Sequence, residues 1–212
     1  MRVHTFVFNP FYENTYVLYD DSRAAVIIDP GCYEGYEQQE LIQFIKDTNL
    51  KPVAVWNTHC HIDHVLGNAF CKRQFQIPLL VPIGEKVVLD AVPAYSSNYG
   101  FQKYEPAEVD QWIDAPSTLS FGNTELEVIL APGHAPGHVM YYHKPTAQLL
   151  AGDVIFKESI GRTDLPGGDF VTLEKSIKTV VFTLPENVVI FPGHGPTTTV
   201  GHEKQFNPFV RP

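Results

Sequence analysis

One short histidine-rich segment constrains the fold of this chain more than any other feature. Three histidines and an aspartate lie between His59 and His64, directly after the apolar residues 52–56. The apolar residues predict a short buried strand. Alternate side chains of an extended segment lie on the same side, so His59 and His61 can bind one ion together. Where the chain turns into a helix, Asp63 and His64 can reach a second ion. A polar surface turn would not need three histidines and an aspartate directly after a buried strand.

Three other segments repeat this arrangement of an apolar strand, a tight turn and a metal-competent side chain. They end at His134, Asp153 and His194. Loops at strand ends bring ligands from distant parts of a chain onto a rigid platform. We therefore predict two metal ions that share the two oxygens of Asp153. The ligands predicted for one ion are His59, His61, His134 and Asp153, and those for the other are Asp63, His64, His194 and Asp153.

The predicted ligands leave a position between the two ions open to water. Two ions about 3.5–4 Å apart lower the pKa of such a water and polarise the electrophile, which is the chemistry of a hydrolase. We expect Asp63 and Asp153 to orient the resulting hydroxide. We expect two zinc ions per chain, because zinc is commonly bound by nitrogen and oxygen ligands. Iron or manganese can bind to the same ligands.

Several nearby candidates are assigned other roles. Asp29, in an Asp-Pro-Gly turn, is expected to orient a ligand through a hydrogen bond rather than to bind metal. Cys60 alternates with its histidine neighbours and should therefore point into the core. The remaining histidines are expected to be structural or exposed; they are His4, His138, His143 and His202.

Composition excludes several function classes. The formal net charge of −9 disfavours a nucleic-acid partner, because an acidic surface repels phosphate backbones. No apolar run approaches the roughly 20 residues that span a bilayer. The three cysteines are few and odd in number, so a disulfide framework is not expected. Residues 1–10 alternate in polarity, which differs from the charged and apolar regions of a secretory signal. We expect a cytoplasmic enzyme with a small-molecule substrate.

Strand and helix patterns predict one α/β domain over residues 1–212. Two groups of strands with interspersed helices indicate two sheets covered by helices. Residues 84–118, rich in Pro, Tyr and Ser, predict a long irregular loop that could form a lid. The predicted strands are 3–8, 15–19, 24–28, 52–56, 119–123, 126–130, 139–142, 148–151 and 188–191, and the predicted helices are 36–48, 63–70 and 169–183.

The order of these motifs resembles the metallo-β-lactamase superfamily over nearly the whole chain. The order runs from Asp29-Pro-Gly through the His59–His64 cluster, His134 and Asp153 to His194. The resemblance implies a four-layer αβ/βα sandwich with the metals at one edge of the two sheets. True β-lactamases of the family do not place a bridging aspartate at the position of Asp153, so antibiotic hydrolysis is not expected.

Within that superfamily the chain is most similar to the glyoxalase II group. The similarity lies in residues 131–138, 152–156 and 161–162, and it implies hydrolysis of thioesters such as S-lactoylglutathione by a metal-bridging hydroxide. Arg162 stands where the family has a basic residue that contacts glutathione. Asp164 and Pro196 replace two family tyrosines, and no C-terminal helical substrate domain is expected before Pro212.

Two other functions remain open at this point. The segment from Gly161 to Asp164 resembles the persulfide dioxygenases of the same fold, which implies a single iron held by His59, His134 and Asp153. The complete second ligand set and the Gly-Pro-Thr after His194 favour the hydrolase. A metal-binding module without catalysis is the third hypothesis, against which the open coordination position argues.

Overall fold

The first of two six-stranded sheets contains the N-terminal half of the chain. The computed structural model describes all 212 residues. The strands of this sheet lie side by side in chain order. The first three pair antiparallel, and the last four pair parallel. They are β1 (Arg2–Phe8), β2 (Glu13–Tyr19), β3 (Ala24–Ile28), β4 (Lys51–Trp56), β5 (Leu79–Pro82) and β6 (Gln111–Ile113).

The second sheet contains the C-terminal half. Its strands are β7 (Ser117–Phe121), β8 (Thr124–Leu130), β9 (Val139–His143), β10 (Gln148–Gly152), β13 (Val189–Pro192) and β14 (Thr198–Thr199). Their order across the sheet is β14-β13-β10-β9-β8-β7, and only β10 and β13 pair parallel. A separate small hairpin joins β11 (Ile155–Phe156) to β12 (Ser159–Ile160).

Six α-helices cover the outer faces of the sheets. They are α1 (Gly35–Asp47), α2 (Ile62–Val65), α3 (Asn68–Phe75), α4 (Lys86–Tyr95), α5 (Phe170–Thr179) and α6 (Val200–Phe206). Single 3₁₀ turns lie at Ile83–Glu85, Ser96–Tyr99, Lys144–Thr146 and Val181–Thr183. None of the helices is long and apolar enough to cross a membrane.

Three buried apolar clusters define the layers. In β2, Tyr16 and Leu18 face the second sheet and pack in one cluster with residues such as Leu150. The intervening Val17 faces the opposite side, where its cluster includes side chains of α1, α3 and α4, as the two-residue period of a strand requires. A third cluster packs α5 and α6 against the second sheet. The order is therefore helix, sheet, sheet, helix, which confirms the predicted αβ/βα sandwich.

Two predicted elements differ from the structure. Residues 84–118 were expected to be an irregular loop, but they contain α4, the Ser96–Tyr99 turn and β6. Helix α4 contains Pro93 and buries only Leu89 and Val92, so its apolar pattern is too short to recognise. The helix predicted over 63–70 is divided into α2 and α3. Between them a Cβ on Gly67 would lie 2.6 Å from Cys32 Sγ, so this position requires glycine.

Candidate metal centre

The predicted ligands converge at the ends of β4, β8, β10 and β13. Only Asn57 and Thr58 separate His59 from the end of β4. Parallel pairing of β10 and β13 places Gly152 opposite Pro192. The Gly193 amide donates to the Gly152 carbonyl at 2.7 Å. The backbones of Asp153 and His194 are therefore neighbours in space.

Three histidines form the first group of metal-competent atoms, which we call the three-histidine group: His59, His61 and His134. His61 Nδ1 lies 2.8 Å from His134 Nε2, which lies 3.3 Å from His59 Nε2. Two nitrogens each about 2.1 Å from one zinc ion, at the tetrahedral angle, are about 3.4 Å apart. The separation between His59 and His134 matches this value, and that between His61 and His134 is shorter by about 0.6 Å.

Asp63, His64 and His194 form the second group, which we call the mixed group. Asp63 Oδ2 lies 3.2 Å from His194 Nε2 and 3.6 Å from His64 Nε2. These separations also match ligands of one ion. Six of the seven side chains that the sequence singles out thus lie in two adjacent groups, and the seventh, Asp153, lies between them.

The Asp153 carboxylate faces both groups. Its Oδ1 lies 3.4 Å from His64 Nε2, and its Oδ2 lies 3.5 Å from both His134 Nε2 and His194 Nε2. Asp153 Oδ1 and His64 Nε2 are buried and have no hydrogen-bond partner. An unpaired buried polar atom is costly, and a cation between these atoms would satisfy both. The residues present therefore fit a pair of metal ions.

The protonation preferences of the histidines differ between the two groups. Burial lowers the pKa of His59 well below its usual value and lowers that of His61 to about 3, and neighbouring histidines add to both effects. Neutral imidazole is the form that binds metal. Burial opposes the charge on Asp153, but His64 and the other histidines outweigh it and hold the pKa of the carboxyl low. The three-histidine group thus offers neutral nitrogens beside an ionised carboxylate. In the mixed group burial lowers the pKa of His64 and His194, but the carboxylates of Asp153 and Asp63 outweigh it and raise both, so a metal ion would displace protons there.

Asp29 supports one ligand of each group from behind. Its Oδ2 lies 3.3 Å from His64 Nδ1 and accepts the Thr58 hydroxyl at 2.6 Å. The same hydroxyl oxygen lies 3.0 Å from His59 Nδ1. Because Thr58 donates to Asp29, its oxygen is available to accept from His59. These contacts leave the Nε2 atoms of His59 and His64 directed at the cluster. Such an orientation is what a hydrogen-bonding role for Asp29 requires.

Backbone carbonyl groups fix two further ligand rings. His134 Nδ1 lies 2.7 Å from the Arg162 carbonyl oxygen, and His194 Nδ1 lies 3.1 Å from that of Phe11. A carbonyl oxygen only accepts, so each Nδ1 carries the proton and each Nε2 keeps its lone pair. Phe11 also packs edge-on against Tyr99 at 6.1 Å. The segment that contains Phe11 therefore lies beside His194.

Arg162 lies beside the cluster, but its side chain is engaged elsewhere. Its Nε and a terminal nitrogen donate to the two oxygens of Asp164 at 2.7 and 2.8 Å. Both side chains are exposed. The Arg162 guanidinium, which was predicted to contact substrate, is thus paired with the carboxylate of Asp164 in the same turn. Cys60 is fully buried in the apolar cluster beneath the site, as predicted.

Three buried residues near the cluster were not singled out as functional from the sequence. His138 Nε2 accepts the Asp153 amide at 3.0 Å, and its ring stacks on His59. Glu13 Oε1 is unpaired and lies 3.9 Å from His64 Nδ1. Glu85 accepts two backbone amides of the ligand loops. No local motif marks the two glutamates, because their contacts depend on residues far away in the sequence.

Comparisons with known proteins identify relatives over the whole chain. Residues 8–194 match the family described as the metallo-beta-lactamase superfamily. Hydroxyacylglutathione hydrolase GloC of Haemophilus influenzae is 32% identical over 212 residues, covering 99% of this chain and 98% of GloC. Mouse persulfide dioxygenase ETHE1 is 32% identical over 199 residues, covering 92% of this chain and 70% of ETHE1. The chain thus aligns with relatives of two different activities.

Solved structures show the same fold. BLEG-1, described as a B3 metallo-beta-lactamase, is 36% identical with a TM-score of 0.88, covering 99% of each chain. TTHA1623 in a di-iron-bound form is 32% identical with a TM-score of 0.86, covering 98% of this chain and 100% of that one. The second structure shows that a related chain binds two iron ions.

Proposed function

Since the chain belongs to the metallo-β-lactamase superfamily, we propose that it hydrolyses thioesters of the S-acylglutathione type with two metal ions. The position of Asp153 carries the proposal, because its two oxygens face the three-histidine group and the mixed group at once. A carboxylate shared by two complete ligand groups is the arrangement expected of a two-metal hydrolase.

Under this proposal each group would hold one ion, and Asp153 would belong to both ligand sets. Zinc is the first choice for nitrogen-rich ligands at tetrahedral spacing, and iron or manganese suits the same atoms. When bound, the ions polarise the acyl carbonyl and lower the pKa of water. The residues assigned to them are His59, His61, His134 and Asp153 for one ion, and Asp63, His64, His194 and Asp153 for the other.

The chain's own residues supply orientation and exclude water. Asp63 and Asp153 lie at the floor of the site and are less than one-tenth exposed; we assign them the orientation of the attacking water by hydrogen bonds. The aromatic ring of Phe156 lies edge-on beside His194, with ring centroids 5.9 Å apart, and we assign it the exclusion of bulk water. No general acid is assigned, because a thiol has a pKa near 8.5 and leaves readily as thiolate.

The length match with GloC supports a thioester substrate. GloC, whose name describes a hydroxyacylglutathione hydrolase, matches this chain over 98% of its own length. ETHE1 matches over 70% of its length. A persulfide dioxygenase is nevertheless the second candidate, because ETHE1 is equally identical and residues 161–164 share that family's pattern. Such an enzyme needs one iron, at His59, His134 and Asp153.

Two paired assays distinguish these candidates. Protein reconstituted with zinc or with iron(II) is assayed for thiol release from S-lactoylglutathione and for oxygen uptake with glutathione persulfide. The proposal predicts thiol release at a stoichiometry near two metals per chain. Oxygen uptake at one iron per chain, without thiol release, would establish the dioxygenase instead. A chromogenic cephalosporin is included because BLEG-1 is described as a β-lactamase, and we expect no turnover of it.

A further inference from the structure

Glu85 connects the two loops that carry the three-histidine group. It ends the Ile83–Glu85 turn immediately before α4 and is fully buried. Its Oε2 accepts the Cys60 amide at 2.9 Å, and its Oε1 accepts the Gly137 amide at 2.7 Å. Cys60 lies between His59 and His61. One carboxylate therefore holds both loops by their backbone.

The contact with the second loop is reinforced by a close backbone approach. A Cβ on Gly84 would lie 2.6 Å from the Gly137 Cα, a distance that real Cβ atoms do not show. Only glycine at both positions allows the two segments to meet. Gly137 lies three residues after His134 in the same loop. The backbone that precedes Glu85 is thus fixed against the loop that carries this ligand.

A carboxylate suits this position better than any other polar group. Both partners are backbone N–H groups, which donate and cannot accept, so two acceptor oxygens are needed. Hydrogen bonds to an ionised acceptor are about twice as strong as neutral ones. Glutamine offers one acceptor oxygen and would place its NH₂ group against the second N–H donor. Replacement by glutamine therefore releases one of the two loops while the side-chain size is kept.

We propose that Glu85 is a positioning residue that sets the distance between His134 and the His59–His61 pair. Its effect is selective, because its hydrogen bonds reach neither the mixed group nor the residues that support it. His64 is oriented by Asp29, and His194 by the Phe11 carbonyl. The proposal concerns the metal centre alone, so it stands or falls independently of the substrate.

Metal affinity of a Glu85→Gln variant tests the proposal. Zinc is titrated into full-length protein against a competing chelator, and the two sites are assigned with His61→Ala and His194→Ala reference variants. Loss of an outer partner of a ligand typically costs about 10–100-fold in metal affinity. We expect that loss at the three-histidine site and a change of less than about threefold at the other site. The Cys60 amide lies between His59 and His61, whereas Asp63 and His64 lie in α2 and are held by other contacts, from Asn9, Asn57 and Asp29.

Glu203→Gln is the matched control. Glu203 is also fully buried, and it accepts the Glu158 amide together with side-chain donors of Thr198 and Asn207. None of these partners is a predicted metal ligand. We expect this variant to lose thermal stability while both zinc affinities stay at their wild-type values. A folded Glu85→Gln protein with wild-type affinity at both sites, or with equal losses at both, would overturn the proposal.

Amide hydrogen exchange of the wild-type protein gives a second test that needs no variant. The Cys60 and Gly137 amides lie in loops, where exchange is ordinarily fast. Bonded to a buried carboxylate, they should exchange as slowly as amides of the central strands. Should Glu85→Gln fail to fold, slow exchange of both amides, with partial loss of three-histidine affinity in Glu85→Asp, supports the proposal. Exchange at the rate of exposed loops contradicts it.

Discussion

Replacing Asp153 by asparagine should weaken both metal sites at once. The substitution keeps the side-chain shape but removes the charge and converts one of two acceptor oxygens to a donor. In the structure one oxygen lies 3.4 Å from His64 Nε2 and the other lies 3.5 Å from both His134 Nε2 and His194 Nε2. Each proposed ion therefore loses its contact with this anion.

The size of the effect follows from the composition of the two groups. The three-histidine group is neutral when its imidazoles bind metal, so Asp153 is its one anionic ligand. The mixed group retains Asp63. We expect zinc affinity to fall at least about 100-fold at the three-histidine site, equivalent to about 2.7 kcal/mol. The loss at the mixed site should be smaller but at least about tenfold.

Metal content after dialysis against a graded chelator, together with thiol release, measures this effect. Asp63→Asn is the matched control, because Asp63 contacts His64 and His194 but no member of the three-histidine group. It should weaken one site only. Retention of both ions at wild-type affinity in Asp153→Asn, or loss of a single ion, would refute the shared-carboxylate arrangement.

Three further predictions follow from the structure. Chelation of the metals should lower the melting temperature, because His64 Nε2 and Asp153 Oδ1 are buried without partners. Zinc at 100 times its Kd should restore about 2.7 kcal/mol of unfolding free energy for each site, and equal melting curves would contradict this. Asp164→Asn should free Arg162 for anionic substrates. It should therefore lower the KM for S-lactoylglutathione relative to the KM for an uncharged thioester, and an unchanged ratio of the two KM values would show that Arg162 does not face the substrate. Leu150→Ala, between the two sheets, should cost about 2–5 kcal/mol in chemical denaturation, and a loss below about 1 kcal/mol would indicate a loosely packed interface.

The convergence of the candidate ligands was predictable because their signal is local. His59, His61, Asp63 and His64 follow an apolar strand within a few positions, and the two-residue period of that strand sets which side chains share a side. His134, Asp153 and His194 each follow an apolar strand and a glycine. Strand ends at one edge of a sandwich are close in space, so the order of motifs also indicated their convergence.

The residues that support the ligands were harder to predict, because their signal is not local. Glu85 contacts amides that are 25 and 52 positions away, and it lies in the segment expected to be a loop. Helix α4 within that segment was missed because Pro93 interrupts a short apolar pattern. The ion pair of Arg162 with Asp164 could not be inferred either, since only the folded turn brings the two side chains into bidentate contact.

Anomalous diffraction from crystals grown with zinc tests the central claim most directly. Data collected on both sides of the zinc absorption edge locate each ion without reference to activity. We predict two peaks about 3.5–4 Å apart, each within about 2.0–2.2 Å of its assigned nitrogen and oxygen atoms, with Asp153 contacting both. A single peak at His59, His61 and His134, with Asp63, His64 and His194 bound to no ion, would contradict the two-metal centre.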